Sequence, residues 1–145
     1  MRLAVMGRVR ARIYQAGQLV GTWEGANVIT DVGRAALAAA LVGDIGAAFA
    51  EIGAGEGGAA ADASDTGLQL ATLWRAVEEV SDLGGGTVRI RWRIPEGAAT
   101  GANLIELGLR ASDNTLIARR VRSEAIPMAA DVALEGDWDI SLVEA

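Results

Sequence analysis

Three segments of this chain alternate strictly between apolar and polar positions. From Thr87 to Ile94, Val88, Ile90, Trp92 and Ile94 oppose Thr87, Arg89, Arg91 and Arg93. From Val132 to Leu142, Val132, Leu134, Trp138, Ile140 and Leu142 oppose Glu135, Asp137, Asp139 and Ser141. Near the start, Val9, Ala11 and Ile13 oppose Arg8, Arg10 and Arg12. A period of two predicts strands buried on one face only. Short turn-forming links separate further β-patterned runs: Gln15-Ala16-Gly17 before Gln18–Trp23, Gly84-Gly85-Gly86 after Ala71–Asp82, and Ser112-Asp113-Asn114 between Leu104–Arg110 and Thr115–Arg122. Such links predict antiparallel hairpins. Pro127 closes a strand, and Pro95 opens a loop over Glu96–Ala102.

One stretch changes period. Thr30 or Asp31 caps a helix whose apolar face is Val32, Ala35, Ala36, Leu37, Ala40 and Leu41, and Gly43 ends it. The pattern predicts a mainly β chain: an antiparallel, jelly-roll-like β-sandwich of about eight strands with one α-helix around residues 31–42. Nothing marks a domain boundary or a repeat, so residues 1–145 read as a single domain.

Composition removes chemistry rather than adding it. The chain has no Cys, no His and no Lys, and its basic residues are thirteen Arg. Without Cys there are no disulfides, thiolate nucleophiles or zinc–thiolate sites. Without His, Ser–His–Asp and Cys–His mechanisms are excluded. A net charge of −6 disfavours nucleic acid as a partner. The apolar positions of the N-terminal MRLAVMGRVRAR are broken by Arg8, Arg10 and Arg12, which argues against a signal peptide or a membrane helix.

Gly53, Gly55 and Gly58 have the G-x-G-x-x-G spacing of a dinucleotide site, following the apolar run Ala47–Ile52, with Glu78 twenty residues after Gly58. That motif needs a helix next, to receive a pyrophosphate. Here Asp62, Asp65 and Gly67 follow. A glycine-rich, adaptable surface loop is the better reading. The acid pairs Glu78–Glu79, Asp62–Asp65 and Asp137–Asp139 could serve glycoside hydrolysis or a hard cation. Asp137 and Asp139 lie on a polar strand face, where solvated charge or cross-strand pairing with Arg89, Arg91 or Arg93 fits better. No catalytic, cofactor-binding or metal-binding residue is therefore assigned. The candidate contact residues are Arg8, Arg10, Arg12, Trp23, Trp74, Arg89, Arg91 and Arg93, since Arg and Trp are enriched at protein interfaces. Trp92 and Trp138 lie on apolar strand faces and belong to the core.

Three blocks carry a resemblance. They are Asn27-Val28-Ile29-Thr30-Asp31-Val32-Gly33-Arg34-Ala35-Ala36-Leu37; then Ile52-Gly53-Ala54-Gly55 with Asp65-Thr66-Gly67-Leu68 and Leu73-Trp74-Arg75; then Asn103-Leu104-Ile105-Glu106-Leu107-Gly108-Leu109 with Asn114-Thr115-Leu116-Ile117-Ala118-Arg119 and Trp138-Asp139-Ile140. Over roughly residues 25 to 142 this order resembles the tail-collar and tail-fibre type modules of tailed bacteriophages. It departs from them at Arg110, where an aromatic often stands, and at Asn114-Thr115, where a glycine is usual. The resemblance implies a non-enzymatic structural protein located in the virion and assembled in the host cytoplasm. It implies a homotrimer that docks onto other virion proteins, with no cofactor and no membrane partner. Because the sequence stops directly after the module, a capsid decoration (cement) protein is the expected alternative. A carbohydrate- or calcium-binding β-sandwich module is the alternative of another class; it predicts exposed aromatics on a concave face, and an exposed Trp23 or Trp74 with a buried Trp92 would favour it.

Overall fold

The computed structural model describes residues 3–41, 43 and 48–144. In chain order they form β1 (Leu3–Gln15), β2 (Gln18–Ala26), β3 (Val28–Ile29), α1 (Asp31–Leu41), β4 (Phe49–Gly55), β5 (Ala71–Ala76), β6 (Glu79–Gly84), β7 (Thr87–Ile94), β8 (Asn103–Ala111), β9 (Leu116–Pro127) and β10 (Val132–Glu144). The strands make two five-stranded antiparallel sheets, ordered β2-β1-β10-β7-β6 and β3-β9-β8-β4-β5. The mainly β sandwich with one helix is thus as expected from the alternation. The Ala71–Asp82 run, read above as one strand, divides into β5 and β6. The chain leaves one sheet at Ala76 and enters the other at Glu79. A similar change of sheet at Asn27 creates the two-residue β3. These two sheet changes add strands to the eight expected and leave β2 and β9 on one side of the sandwich, β5 and β6 on the other.

The helix begins where its cap demands. Thr30 is buried; its Oγ1 donates to the Leu116 carbonyl at 2.6 Å and accepts from the Gly33 N–H at 2.9 Å. One hydroxyl thereby satisfies an orphan helix donor and ties α1 to β9. Val42, the last residue of the expected helix, lies outside the described residues.

The two inner faces meet in one core built around Trp92 and Trp138, at most 1% exposed, with Ile52, Ile90, Ile94, Leu109 and Leu134. The outer face of the β1 sheet is a ladder of charge. In register, Arg8, Arg10 and Arg12 of β1 stand opposite Asp139, Asp137 and Glu135 of β10, which stand opposite Arg89, Arg91 and Arg93 of β7. Glu24 of β2 and Glu79 of β6 flank the ladder. Rows of acid and arginine therefore alternate across the sheet, and each row of one sign meets the other.

The best-formed rung is Arg89 on Asp139, bidentate at 2.8 and 2.9 Å, with both groups under a third exposed. Its hydrogen bonds and charge raise the Arg89 pKa above the ordinary value. Asp139→Asn is expected to lower stability by about 1 kcal/mol in urea denaturation. Glu79→Gln, which breaks the half-exposed pair with Arg91, should leave the urea midpoint unchanged.

Candidate functional site

The outer face of the β8 sheet carries a third layer made of the loop between β4 and β5, and this layer is held by charge. Glu106 of β8 and Arg119 of β9 project onto this face, where strand periodicity alone would leave them in water. Both are buried, Glu106 completely. The Glu106 carboxylate accepts from the N–H groups of Gly57 at 2.6 Å, Gln69 at 2.7 Å and Leu70 at 2.9 Å, and from Arg119 Nε at 3.2 Å. Arg119 Nη1 in turn donates to Asp65 Oδ2 at 3.0 Å and to the Ala60 carbonyl at 3.4 Å. Charged hydrogen bonds in a site closed to water are strong, and a half-satisfied one is costly. Glu106 closes both ends of the loop and Arg119 holds its middle.

The loop of residues 56–70 is therefore a pinned layer, and the expectation of an adaptable loop is corrected. Inside it, Asp65 accepts from the Asp62 N–H, and Asp62 accepts from both the N–H and the hydroxyl of Ser64. The Ser64 hydroxyl, with its N–H, holds the Asp62 carboxyl below its usual pKa. The nucleotide spacing has no helix behind it: residues 56–70 contain none, and β4 pairs antiparallel on both sides. The βαβ unit that would aim a helix at a pyrophosphate is absent there.

Trp74 of β5 lies flat on the same face. A Cβ at Gly53 would come within 2.5 Å of its ring, and one at Gly108 within 3.0 Å, so these two glycines make its bed. Arg110 stacks on the ring at 4.1 Å and pairs with Glu51 at 2.8 Å. Arg110, where the resembled modules often have an aromatic, covers an aromatic here. Trp23 of β2 is likewise half-buried, beneath Arg122 at 4.9 Å. Neither ring is presented bare to solvent, as a sugar-stacking platform would need.

Of the residues singled out from sequence, Arg8, Arg10, Arg12, Arg89 and Arg91 lie together on the charge ladder, each paired with an acid. Arg93 ends the same row, exposed and opposite Glu135. Trp23 and Trp74 stand at opposite sides of the sandwich, apart from that ladder. Among the described residues, no group of three or more His, Cys, Asp or Glu side chains is placed to share a metal ion, and no helix is long and apolar enough to cross a membrane.

The open side between β2 and β9 was not legible as a site. Asn27, Arg119, Arg120 and Arg122 line a groove of about 590 Å³ there, with Gly58 and Ala60 from the pinned loop. Asn27 Oδ1 accepts from Trp138 Nε1 at 2.9 Å. Its Nδ2, together with Arg119 Nη2 and Arg120 Nε, is buried without a partner. The pair Arg119-Arg120 in the sequence was a signal, but only the sheet change at Asn27 sets that amide beside it.

Comparisons of the chain with protein-family models, with curated proteins and with solved structures found no match.

Proposed function

We propose that this chain is a non-enzymatic structural component of a tailed-phage virion, a module of tail, collar or fibre type that docks as an oligomer onto other virion proteins. One observation carries the proposal. The three separated sequence blocks that resemble such modules meet in one place: Thr30 ties the helix start to β9, the Asp31 N–H donates to the Ala63 carbonyl of the loop, and Asp65 of that loop joins Glu106 and Arg119 on the strands beneath it. The residues of the resemblance thus build one structural unit, a loop and helix locked onto a sheet. Its chemistry suits a rigid docking surface. Glu106 is wholly buried, with its carboxylate taken up by three backbone N–H groups and one guanidinium.

The test is the protein's presence and copy number in purified particles, by quantitative mass spectrometry with localisation by electron microscopy. Three or six copies at the tail is the expected result. One copy per capsomer position would replace the tail assignment with capsid decoration. Absence from particles would overturn the virion role.

A further inference from the structure

The two sides of the sandwich are unlike in charge. On the β2/β9 side, Arg120 lies across Gly25 and its Nη1 donates to the Ala26 carbonyl at 2.8 Å. Arg122 stacks on Trp23, with Nη1 on the Glu124 carbonyl at 3.0 Å. Neither guanidinium has a carboxylate within the 4 Å of an ion pair; among the described residues they share this with Arg75 and Arg93, while the other eight arginines are paired. Burial pulls the Arg122 pKa below its ordinary value and the neighbouring Arg120 adds to this, with Glu124 opposing. Unpaired cations in a chain of net charge −6, beside three buried donors that lack acceptors, leave an unmet demand for anionic oxygen. A buried donor left without a partner is costly, and an acceptor supplied from outside relieves that cost.

The groove continues past Arg122 into an apolar stretch of about 620 Å³ lined by Ile13, Val20, Ile126 and Met128. Val20 in its lining is more than half exposed. β3 covers β9 only at Ala118 and Arg119. Between Val121 and Ile126 β9 bulges against β8, whose Glu106 and Leu104 are their register partners. A bulged edge is a poor template for strand addition, so recognition here runs through side chains.

The opposite side has the complementary chemistry. β6 is a free edge strand, and Glu78, Glu79 and Asp82 are exposed along it with Val80 and Leu83. Glu79 reaches only a half-exposed Arg91, and the Asp82 carboxylate accepts from Gly84.

We propose that the β2/β9 groove receives the acidic β6 side of a second copy, so that carboxylates meet Arg120 and Arg122 while Val80 and Leu83 meet the apolar stretch. The two patches are different and lie on opposite sides, so the contact is head-to-tail and propagates into a closed ring or an open filament. The inference rests on the chain being an assembling structural unit, and names the surfaces by which it assembles.

The test uses two charge-reversed variants of the whole chain, Arg120→Glu/Arg122→Glu and Glu78→Arg/Glu79→Arg, with light scattering over a concentration series. Circular dichroism confirms that each is folded; the second pair is exposed at an edge strand, so it stays informative if the first fails to fold. The wild type should self-associate, each variant alone should lose that association, and an equimolar mixture should regain it because each contact between unlike variants sets opposite charges face to face. A monomeric wild type, an oligomer indifferent to the Glu78/Glu79 reversal, or two folded variants whose mixture stays monomeric would each overturn the interface. A protein present in particles yet monomeric in solution would sink this interface and leave the virion role standing. An assembling protein absent from particles would do the reverse.

Discussion

Glu106→Ala should lower the unfolding free energy by about 3–5 kcal/mol, the scale for removing one partner of a buried charge network. The reason lies in what is left behind. Three backbone N–H groups, of Gly57, Gln69 and Leu70, lose their acceptor, and Arg119 keeps its charge in a site closed to water. Water must then enter beneath the loop, so residues 56–70 should detach while the two sheets persist. Hydrogen–deuterium exchange separates the two events: the Gly57, Gln69 and Leu70 amides exchange near the rate of an open chain, and the Trp92 and Trp138 strands stay protected. Glu106→Gln preserves the shape and part of the acceptor capacity, and its loss in the same denaturation experiment should be smaller. Equal losses for Gln and Ala would show that the loop is held by packing rather than by the carboxylate.

Gly136→Ala should cost about 3 kcal/mol, at the upper end for overpacking a core, although it adds one methyl. Gly136 is on the inner face of β10, paired with Trp92 of β7 on one side and Ala11 of β1 on the other. A Cβ there would strike the Arg10 carbonyl of β1 and come within 2.8 Å of the Trp92 ring. The Arg10 carbonyl is backbone in the middle of the sheet and cannot swing aside, so β1 and β10 must part. Thermal unfolding of the variant should show a lowered midpoint, and the double variant Gly136→Ala/Trp92→Leu should recover none of the loss caused by the carbonyl contact. A midpoint equal to wild type would mean that the β1–β10 pair gives without strain.

Much of the molecule was readable as a one-dimensional pattern. The strict alternations at Val9–Ile13, Thr87–Ile94 and Val132–Leu142 became β1, β7 and β10, and their apolar positions became the core. Thr30 and Gly43 bracketed the helix, and the Gly84–Gly86 turn joined β6 to β7 as expected. The opposition of Arg89, Arg91 and Arg93 to Asp137 and Asp139 was legible as pairing, because β side chains of one parity must share a face.

What the sequence could not display was which outward faces are covered. Period two distinguishes two faces of a strand and says nothing of whether a loop later lies on the second one. Glu106, Gly108 and Arg110 share a parity with solvent-facing residues, and nothing local separates Glu106 from Glu135. Only the return of residues 56–70 over the β8 sheet makes Glu106 a wholly buried anchor while Glu135 remains 38% exposed. The glycine-rich stretch likewise permits a phosphate cradle, a mobile loop or a pinned layer. The choice was made by an acid and an arginine 36 and 54 residues away along the chain. The amino-acid sequence by itself determined the strands, their inner faces and the absence of His and Cys chemistry, because those follow from side-chain type and period. The tertiary structure alone decided the third layer, the bed for Trp74 and the basic side at Arg120 and Arg122, because each depends on contacts between segments remote in sequence.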